Sequence, residues 1–417
     1  MLETDVTIAT MGHLGDGVSA AAPGEPALFI PFTLPGERVR VKSYGDGRAE
    51  LQALIEGSPD RVEPPCRHFT RCGGCALQHW ADAPYTDWKR AQVEQALASR
   101  GIEAEIAPMA VARAHSRRRA GFAVTRAGKG TVLGYYGRAS HTIIPVEECP
   151  LIVPEIEHAF TLLGQLMEPG LSRKGRASIL VTATETGLDV AVTGGKTPLD
   201  LPLRELLGTL AAKGDFARLT WDGDMVAERR VPVIDLSGFK VMLPPGGFLQ
   251  ATKEGEQALV ARVTRHVQGA KSVADLFAGC GTFSAALVRA SSVHAVEGDA
   301  PAMKALERAL NEQGPLQRAR KLTTEIRDLF RRPLLPAELN RFEAVVFDPP
   351  RAGAKAQAEE IARSKVQTVV AVSCNPATFA RDARTLIDGG YRLDIVEPVD
   401  QFLWSPHIEL VACFSKG

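Results

Sequence analysis

No run in the 417 residues approaches the ~20 consecutive apolar residues that a membrane helix requires. The opening segment, MLETDVTIATMGHLGDG, lacks the basic stretch followed by an apolar one that marks a secretory signal, so a cytoplasmic chain without membrane contact is expected. Net charge is lacking as well: 49 Lys and Arg stand against 49 Asp and Glu. That balance hides a segregation. Between Ile106 and Val146 there is no Asp or Glu, while Arg113, His115, Arg117, Arg118, Arg119, Arg126, Lys129, Arg138 and His141 all fall there. A basic block in a neutral chain suits a phosphate-binding face; the plainer alternative is a solvated strand surface. Internal repeats and low-complexity tracts are absent, and the length allows two or three domains with their own cores.

Seven cysteines are present, and in a cytoplasmic chain disulfides are not expected. Cys66, Cys72, Cys75 and Cys149 flank the basic block, whereas Cys280, Cys374 and Cys413 lie in or beside predicted strands. The first four form Cys-x5-Cys-Gly-Gly-Cys plus one distant cysteine. Four thiolates suit zinc or a [4Fe–4S] cluster alike, although a zinc ribbon would show two C-x2-C pairs.

The chain divides by pattern into three parts. Residues 1–57 carry short strands (VTIATM, PALFIPF, ERVRVKSYG, RAELQALIEG) separated by Gly and Pro, which predicts a small β-barrel. Proline-rich SPDRVEPPC opens residues 58–240, a mixed and mainly β region with one helix predicted near Tyr85–Arg100. Residues 241–417 alternate strands with helical stretches, so a doubly wound α/β sheet is expected.

Ligands of such a sheet sit beyond the carboxyl ends of its strands. The turn Asp275-Leu276-Phe277-Ala278-Gly279-Cys280-Gly281-Thr282 lets the backbone approach a ligand and presents a helix amino terminus. Glu297 ends the next strand, where an acid can accept from ribose hydroxyls. The third glycine of a dinucleotide fingerprint is missing. With Asp348 at a later strand end, the set resembles the S-adenosylmethionine (SAM) half of class I methyltransferases.

Two further segments carry chemistry. Asp348-Pro349-Pro350-Arg351 follows the strand EAVVF, and Ser373-Cys374-Asn375-Pro376 follows TVVAV. Cys374 therefore sits at a strand terminus with a helix behind it, a setting that favours a thiolate. Carbon 5 of uracil is too weak a nucleophile to take a methyl group unaided. A thiolate adding to carbon 6 makes an enolate that can, and a base must then remove the carbon-5 proton. Glu409, at the start of the last strand, is the candidate base.

DLFAGCGTFS, VEGD, DPPRAG, VSCNP and the terminal His407-x-Glu409 resemble the RNA 5-methyluridine methyltransferase family over nearly the whole chain, most closely its iron–sulfur branch that modifies large-subunit ribosomal RNA. The resemblance implies Cys374 as nucleophile and Glu409 as base. It implies SAM contacts from Gln250, Phe277, Thr282, Glu297, Asp328 and Asp348, and a [4Fe–4S] cluster on Cys66, Cys72, Cys75 and Cys149. Residues 1–57 resemble a TRAM module, an RNA-binding barrel, with FTLPGERVRV carrying the similarity. Three departures stand out: Phe402-Leu403-Trp404-Ser405 where Phe-Pro-x-Thr is common in the family, and Thr252 and Thr282 where Asn is common. The target base must be flipped from its stack, and Phe248 and His79 are candidates along that path. The expectation is a monomeric enzyme acting on structured RNA, ribosomal rather than transfer; a non-catalytic RNA-binding factor is the rival from another class. A cytosine-5 enzyme would place its nucleophile after proline, a context absent here.

Overall fold

The computed structural model describes residues 3–21, 26–128, 130–172, 175–195, 198–312 and 322–417. The amino-terminal strands form a five-stranded antiparallel sheet in the order Phe29–Pro31, Asp16–Ser19, Glu3–Met11, Arg38–Ser43, Ala49–Glu56. Alternation along Arg38–Ser43 sends Val39 and Val41 inward and Arg38 and Arg40 outward. Ile8, Ile30, Val39, Val41 and Ala49 fill the interior. The sheet curls until Phe29 bridges Arg48, with Phe29 N donating to Gly47 O at 2.8 Å.

The middle of the chain is built on a seven-stranded sheet, in the order Asp224–Glu228, Arg218–Trp221, Gly187–Thr193, Arg176–Thr184, Arg119–Ala127, Gly130–Tyr136, Ile143–Pro145. The helices Phe160–Gly170 and Leu201–Lys213 cover it over a core containing Phe122, Phe216 and Trp221. Sequence patterning passes over both helices; Pro169 lies inside the first, whereas Pro202 stands in the first turn of the second, where proline is tolerated. Leu201–Lys213 is the crossover that lets Gly187–Thr193 and Arg218–Trp221 pair in parallel, which a tight turn cannot do. The hairpin Val233–Leu236 and Phe239–Met242 buries Ile234, Leu236 and Val241 against Leu259 and Val263 of the helix Lys253–His266. The expected boundary at 240 thus falls inside the strand Phe239–Met242.

The carboxyl-terminal sheet has eight strands: Leu322–Ile326, Ser292–Glu297, Ser272–Leu276, Ala344–Phe347, Thr368–Ser373, Glu409–Lys416, Tyr391–Asp400 and Ala110–Val111. The first five run parallel and Glu409–Lys416 returns antiparallel beside Thr368–Ser373. Ala110–Val111, drawn from the basic block, completes the far edge against Val399 and Asp400. The first helix, α1 (Asp82–Ala98), joins two cores. Its Val93 and Leu97 pack into the catalytic sheet's core, while Tyr85 and Trp88 pack with Leu34, Leu77 and Trp80. No described helix is long and apolar enough to cross a membrane.

Candidate active site

The Gly-rich turn follows Ser272–Leu276 with three residues in left-handed backbone: Phe277 at φ 61°, Gly279 at φ 57° and Gly281 at φ 95°. A side chain at Gly281 would meet Leu306 at 2.4 Å, whereas one at Gly279 would meet nothing within 4 Å. Gly281 is therefore required by packing, and the face at Gly279 is open to a ligand. Glu297 braces the turn, one carboxylate oxygen accepting from Gly279 N at 3.0 Å and the other from Asp299 N at 2.8 Å. Asp328 accepts from Phe330 N at 3.0 Å, and the Phe330 ring lies 5.4 Å from that of Phe277. Thr282 is half-buried within the turn. Phe277, Thr282, Glu297 and Asp328 thus come together at the carboxyl ends of three neighbouring strands. Phe330, half exposed beside Phe277, was not singled out from the sequence; an apolar residue two beyond a strand-end acid carries no local signal.

The second cluster lies across the sheet. Asp348 follows the strand Ala344–Phe347 and Cys374 follows Thr368–Ser373. Pairing of Ser373 with Leu410 brings Glu409, first residue of the antiparallel strand, alongside Cys374. Glu409 accepts from Gln401 Nε2 at 3.2 Å; Gln401 Nε2 also reaches Gln250 Oε1 at 2.6 Å. Gln250 Nε2 in turn donates to Asp348 at 3.3 Å. Both glutamines are buried, and Gln401 Oε1 is fixed by Ala251 N at 2.9 Å. Gln401 thus links Glu409 to the Gln250–Asp348 pair, a role the sequence did not reveal.

The electrostatics follow from this crowding. Burial, then the charge of Asp275, pushes the Asp348 carboxyl up to about 7. Burial and then Asp348 raise Glu409 well above the ordinary carboxylate range. The Cys374 thiol is pushed up to about 12, first by burial and then by Glu409 and Asp348, with Arg351 opposing. This corrects the expectation of a helix-stabilised thiolate. The helix Pro376–Asp388 begins two residues later, and Asn375 already caps it by accepting from Ala377 N at 3.1 Å. Cys374 opens onto a cleft of about 350 Å³ whose walls include Arg351, Asn375, His407, Gln92 and Gln95 of α1, and His13 of the barrel.

Cys66, Cys72 and Cys75, together with the distant Cys149, line one cavity of about 150 Å³. Gly73 N donates to Tyr136 O at 2.9 Å, docking the cysteine loop on the strand Gly130–Tyr136. Gly74 N donates to the Cys72 sulfur at 3.4 Å, Leu151 and Ile152 N–H groups act on that of Cys149, and the Gln78 side chain on that of Cys75. Donors aimed at sulfur suit ligating thiolates better than thiols. Burial, and after it the neighbouring cysteines, raise Cys72, Cys75 and Cys149, Cys75 to about 12, and a bound cation would favour their thiolates. Among the described residues, no group of three His, Cys, Asp or Glu is placed to hold a metal ion.

Other sequence candidates are dispersed. His79 is fully buried beside the Phe69 and Phe32 rings, so its aromatic neighbours claim it for the core rather than for an RNA-facing surface. Phe248 is 63% exposed with the Arg119 guanidinium 5.8 Å from its ring. In the basic block, Arg118 is buried and bonded to Glu256 at 2.6 Å, and Arg138 pairs with Asp16. Arg113 and His115 remain exposed; Lys129 lies outside the described residues.

Residues 209–416 match the tRNA (uracil-5-)-methyltransferase family. Over 99% of its length the chain is 49% identical to an uncharacterized RNA methyltransferase of Brucella suis, covering 98% of that protein. It is 32% identical over 98% of its length to the 23S rRNA (uracil(1939)-C(5))-methyltransferase RlmD of Pectobacterium atrosepticum, covering 93% of it. The chain belongs to the RNA uracil-5-methyltransferase family. Among solved structures, the tRNA (uracil-54, C5)-methyltransferase of Pyrococcus abyssi, in complex with S-adenosyl-L-homocysteine, superposes with a TM-score of 0.75. The match covers 99% of this chain and 100% of that one at 23% identity, a likeness of fold. As a family member the chain is a SAM-dependent RNA methyltransferase, and its α/β sheet with a curled amino-terminal β-sheet is the family architecture.

Proposed function

We propose that this enzyme methylates carbon 5 of a specific uridine in 23S ribosomal RNA, with Cys374 as nucleophile and Glu409 as base. The observation that carries the reading is the pairing of Ser373 with Leu410, which sets the buried Glu409 carboxyl beside a thiol that opens onto a cleft. The ribosomal assignment rests on likeness to the RlmD enzyme over nearly the whole chain, together with the cysteine set.

Cys374, its proton released to bulk water, adds through sulfur to carbon 6 of the flipped base. The electrons of the C5–C6 double bond pass toward O4 as an enolate. SAM, when bound against Phe277, Thr282, Glu297, Asp328, Gln250 and Asp348, supplies the electrophilic methyl group that carbon 5 takes, and its sulfonium charge favours ionised carboxyls nearby. Glu409 then removes the carbon-5 proton, the C5–C6 double bond re-forms and the C6–S bond breaks, returning Cys374. Gln401 and Gln250 hold the two acids apart while linking them, so that one can keep a proton while the other accepts.

Cys66, Cys72, Cys75 and Cys149 would hold a [4Fe–4S] cluster, whose contribution is a cross-link between the loop at 66–75 and the segment at 149; no electron transfer enters the chemistry above. Residues 1–57 act as a TRAM-like RNA-binding barrel, 58–240 as the cluster-bearing RNA-binding region and 241–417 as the catalytic part. Arg113, His115 and the Arg119–Phe248 pair supply charge and a stacking surface for RNA.

Deleting the gene and measuring 5-methyluridine by mass spectrometry in separated ribosomal and transfer RNA tests the proposal. The expected result is loss from large-subunit ribosomal RNA, restored by the wild-type gene but not by Cys374→Ala. Loss from transfer RNA instead would overturn the substrate and keep the chemistry.

A further inference from the structure

Trp404 stands in left-handed backbone, φ 57°, midway along the irregular segment that leads from Asp400 to Glu409. A tryptophan there is strained, so its surroundings must hold it. Its carbonyl accepts from Ala76 N at 2.9 Å and Leu77 N at 3.1 Å, both directly after Cys75. Its N–H donates to the Tyr85 hydroxyl at 2.9 Å, and that hydroxyl donates to Asp400 Oδ2 at 2.6 Å. Lys89, one turn along α1, places Nζ 2.6 Å from Asp400 Oδ1 and donates to Phe402 O at 3.2 Å. Phe402 N donates to Asp400 Oδ1 at 2.9 Å. Tyr85, Lys89 and Asp400 are all buried, the last two completely.

Stability alone is a poor account of this arrangement. Burying a charged pair costs several kcal/mol, and an apolar set of the same volume commonly does as well. Directional bonds do what an apolar set cannot: they fix the course of a segment that lacks a ladder of its own. The segment also touches two cavities. Leu403, Ser405 and His407 line the cysteine cavity, while Pro406 and His407 line the cleft at Cys374. Glu409 follows two residues later.

We propose that Tyr85, Lys89 and Asp400 are positioning residues for the base: with the main-chain clamp from the cysteine loop to Trp404, they set where the Glu409 carboxylate meets the carbon-5 proton. The inference rests on Glu409 being the base. It gives the cysteine loop a task in the reaction cycle without electron transfer, because whatever orders residues 66–77 also orders the segment leading to the base. The step affected is elimination, after the methyl group has arrived.

The test uses full-length enzyme, labelled RNA substrate and methyl-labelled SAM, and follows the Cys374–RNA adduct on denaturing gels. Tyr85→Phe keeps the ring and removes the one hydroxyl that bonds both Trp404 and Asp400. It should slow turnover roughly tenfold, the loss of about one well-made hydrogen bond's worth of positioning, while adduct carrying the methyl label accumulates and KM is little changed. Asp400→Asn, which keeps the shape and removes the charge, should trap the same species, as should Cys75→Ser. Unchanged turnover, or equal loss of adduct and turnover with a lowered melting temperature, would overturn the proposal and leave the clamp a folding element. The underlying reading fails separately: Glu409→Gln must trap methylated adduct and Cys374→Ala must form none, whatever Tyr85→Phe does.

Discussion

Asp348 and Glu409 are carboxyls placed where one of them keeps its proton. Burial raises both; the charge of Asp275 adds to the effect on Asp348 and that of Asp348 to the effect on Glu409, with Gln250 and Gln401 bonded between them. The consequence for stability has a definite sign. In the unfolded chain Asp348 loses its proton near 3.8, while in the folded one it keeps it to about 7. Stability is full below the lower value and falls as pH rises toward the higher, because the unfolded state releases protons that the fold retains. The melting temperature of the ligand-free protein should therefore drop between about pH 4 and 7, and Asp348→Asn should flatten that slope; calorimetry at fixed ionic strength checks it. Cys374, Glu409 and Asp348 were legible in the sequence because each ends or begins an apolar strand run. Gln401 was not, since its partner Gln250 lies 151 residues away and nothing beside it marks a site.

Among the elements, the turn at 277–283 shows how a short motif encodes geometry. Gly279 and Gly281 share the left-handed conformation for different reasons, one facing open space and the other pressed on Leu306. Gly281→Val should cost about 1–3 kcal/mol in urea denaturation through strain and overpacking, and should weaken SAM binding measured by calorimetry. The strands of the catalytic sheet could be read because buried parallel strands are continuous apolar runs. The helix Phe160–Gly170 could not, with Pro169 inside it. Nor could the two-residue strand Ala110–Val111, whose partner Val399 belongs to the far end of the chain.

At the scale of the molecule, the basic block proves to be partly a joint. Arg118 donates to Gln250 O at 3.2 Å and to Glu256 at 2.6 Å, tying the middle sheet to the helix Lys253–His266 beside Gln250. Replacing only one partner strands a buried charge. Arg118→Met should cost about 3–5 kcal/mol, and adding Glu256→Leu should restore much of it; chemical denaturation of the single and double variants measures the coupling. α1 is a second joint, with its buried face divided between the catalytic core and the cysteine loop.

The sequence by itself determined which candidate groups stand at the strand ends. A thiol, an acid and a glycine turn at strand ends are local facts, set by a few neighbouring residues and the two periodicities of the backbone. The family resemblance rests on those same short segments. Tertiary structure alone decided the protonation of these groups and their support. The Cys374 thiol lies high because it is buried and Glu409 and Asp348 converge on it, and the path to Glu409 is held by Ala76, Leu77, Tyr85 and Lys89, more than 300 residues earlier in the chain. Burial and charge proximity are properties of space, and no spacing along the chain encodes them.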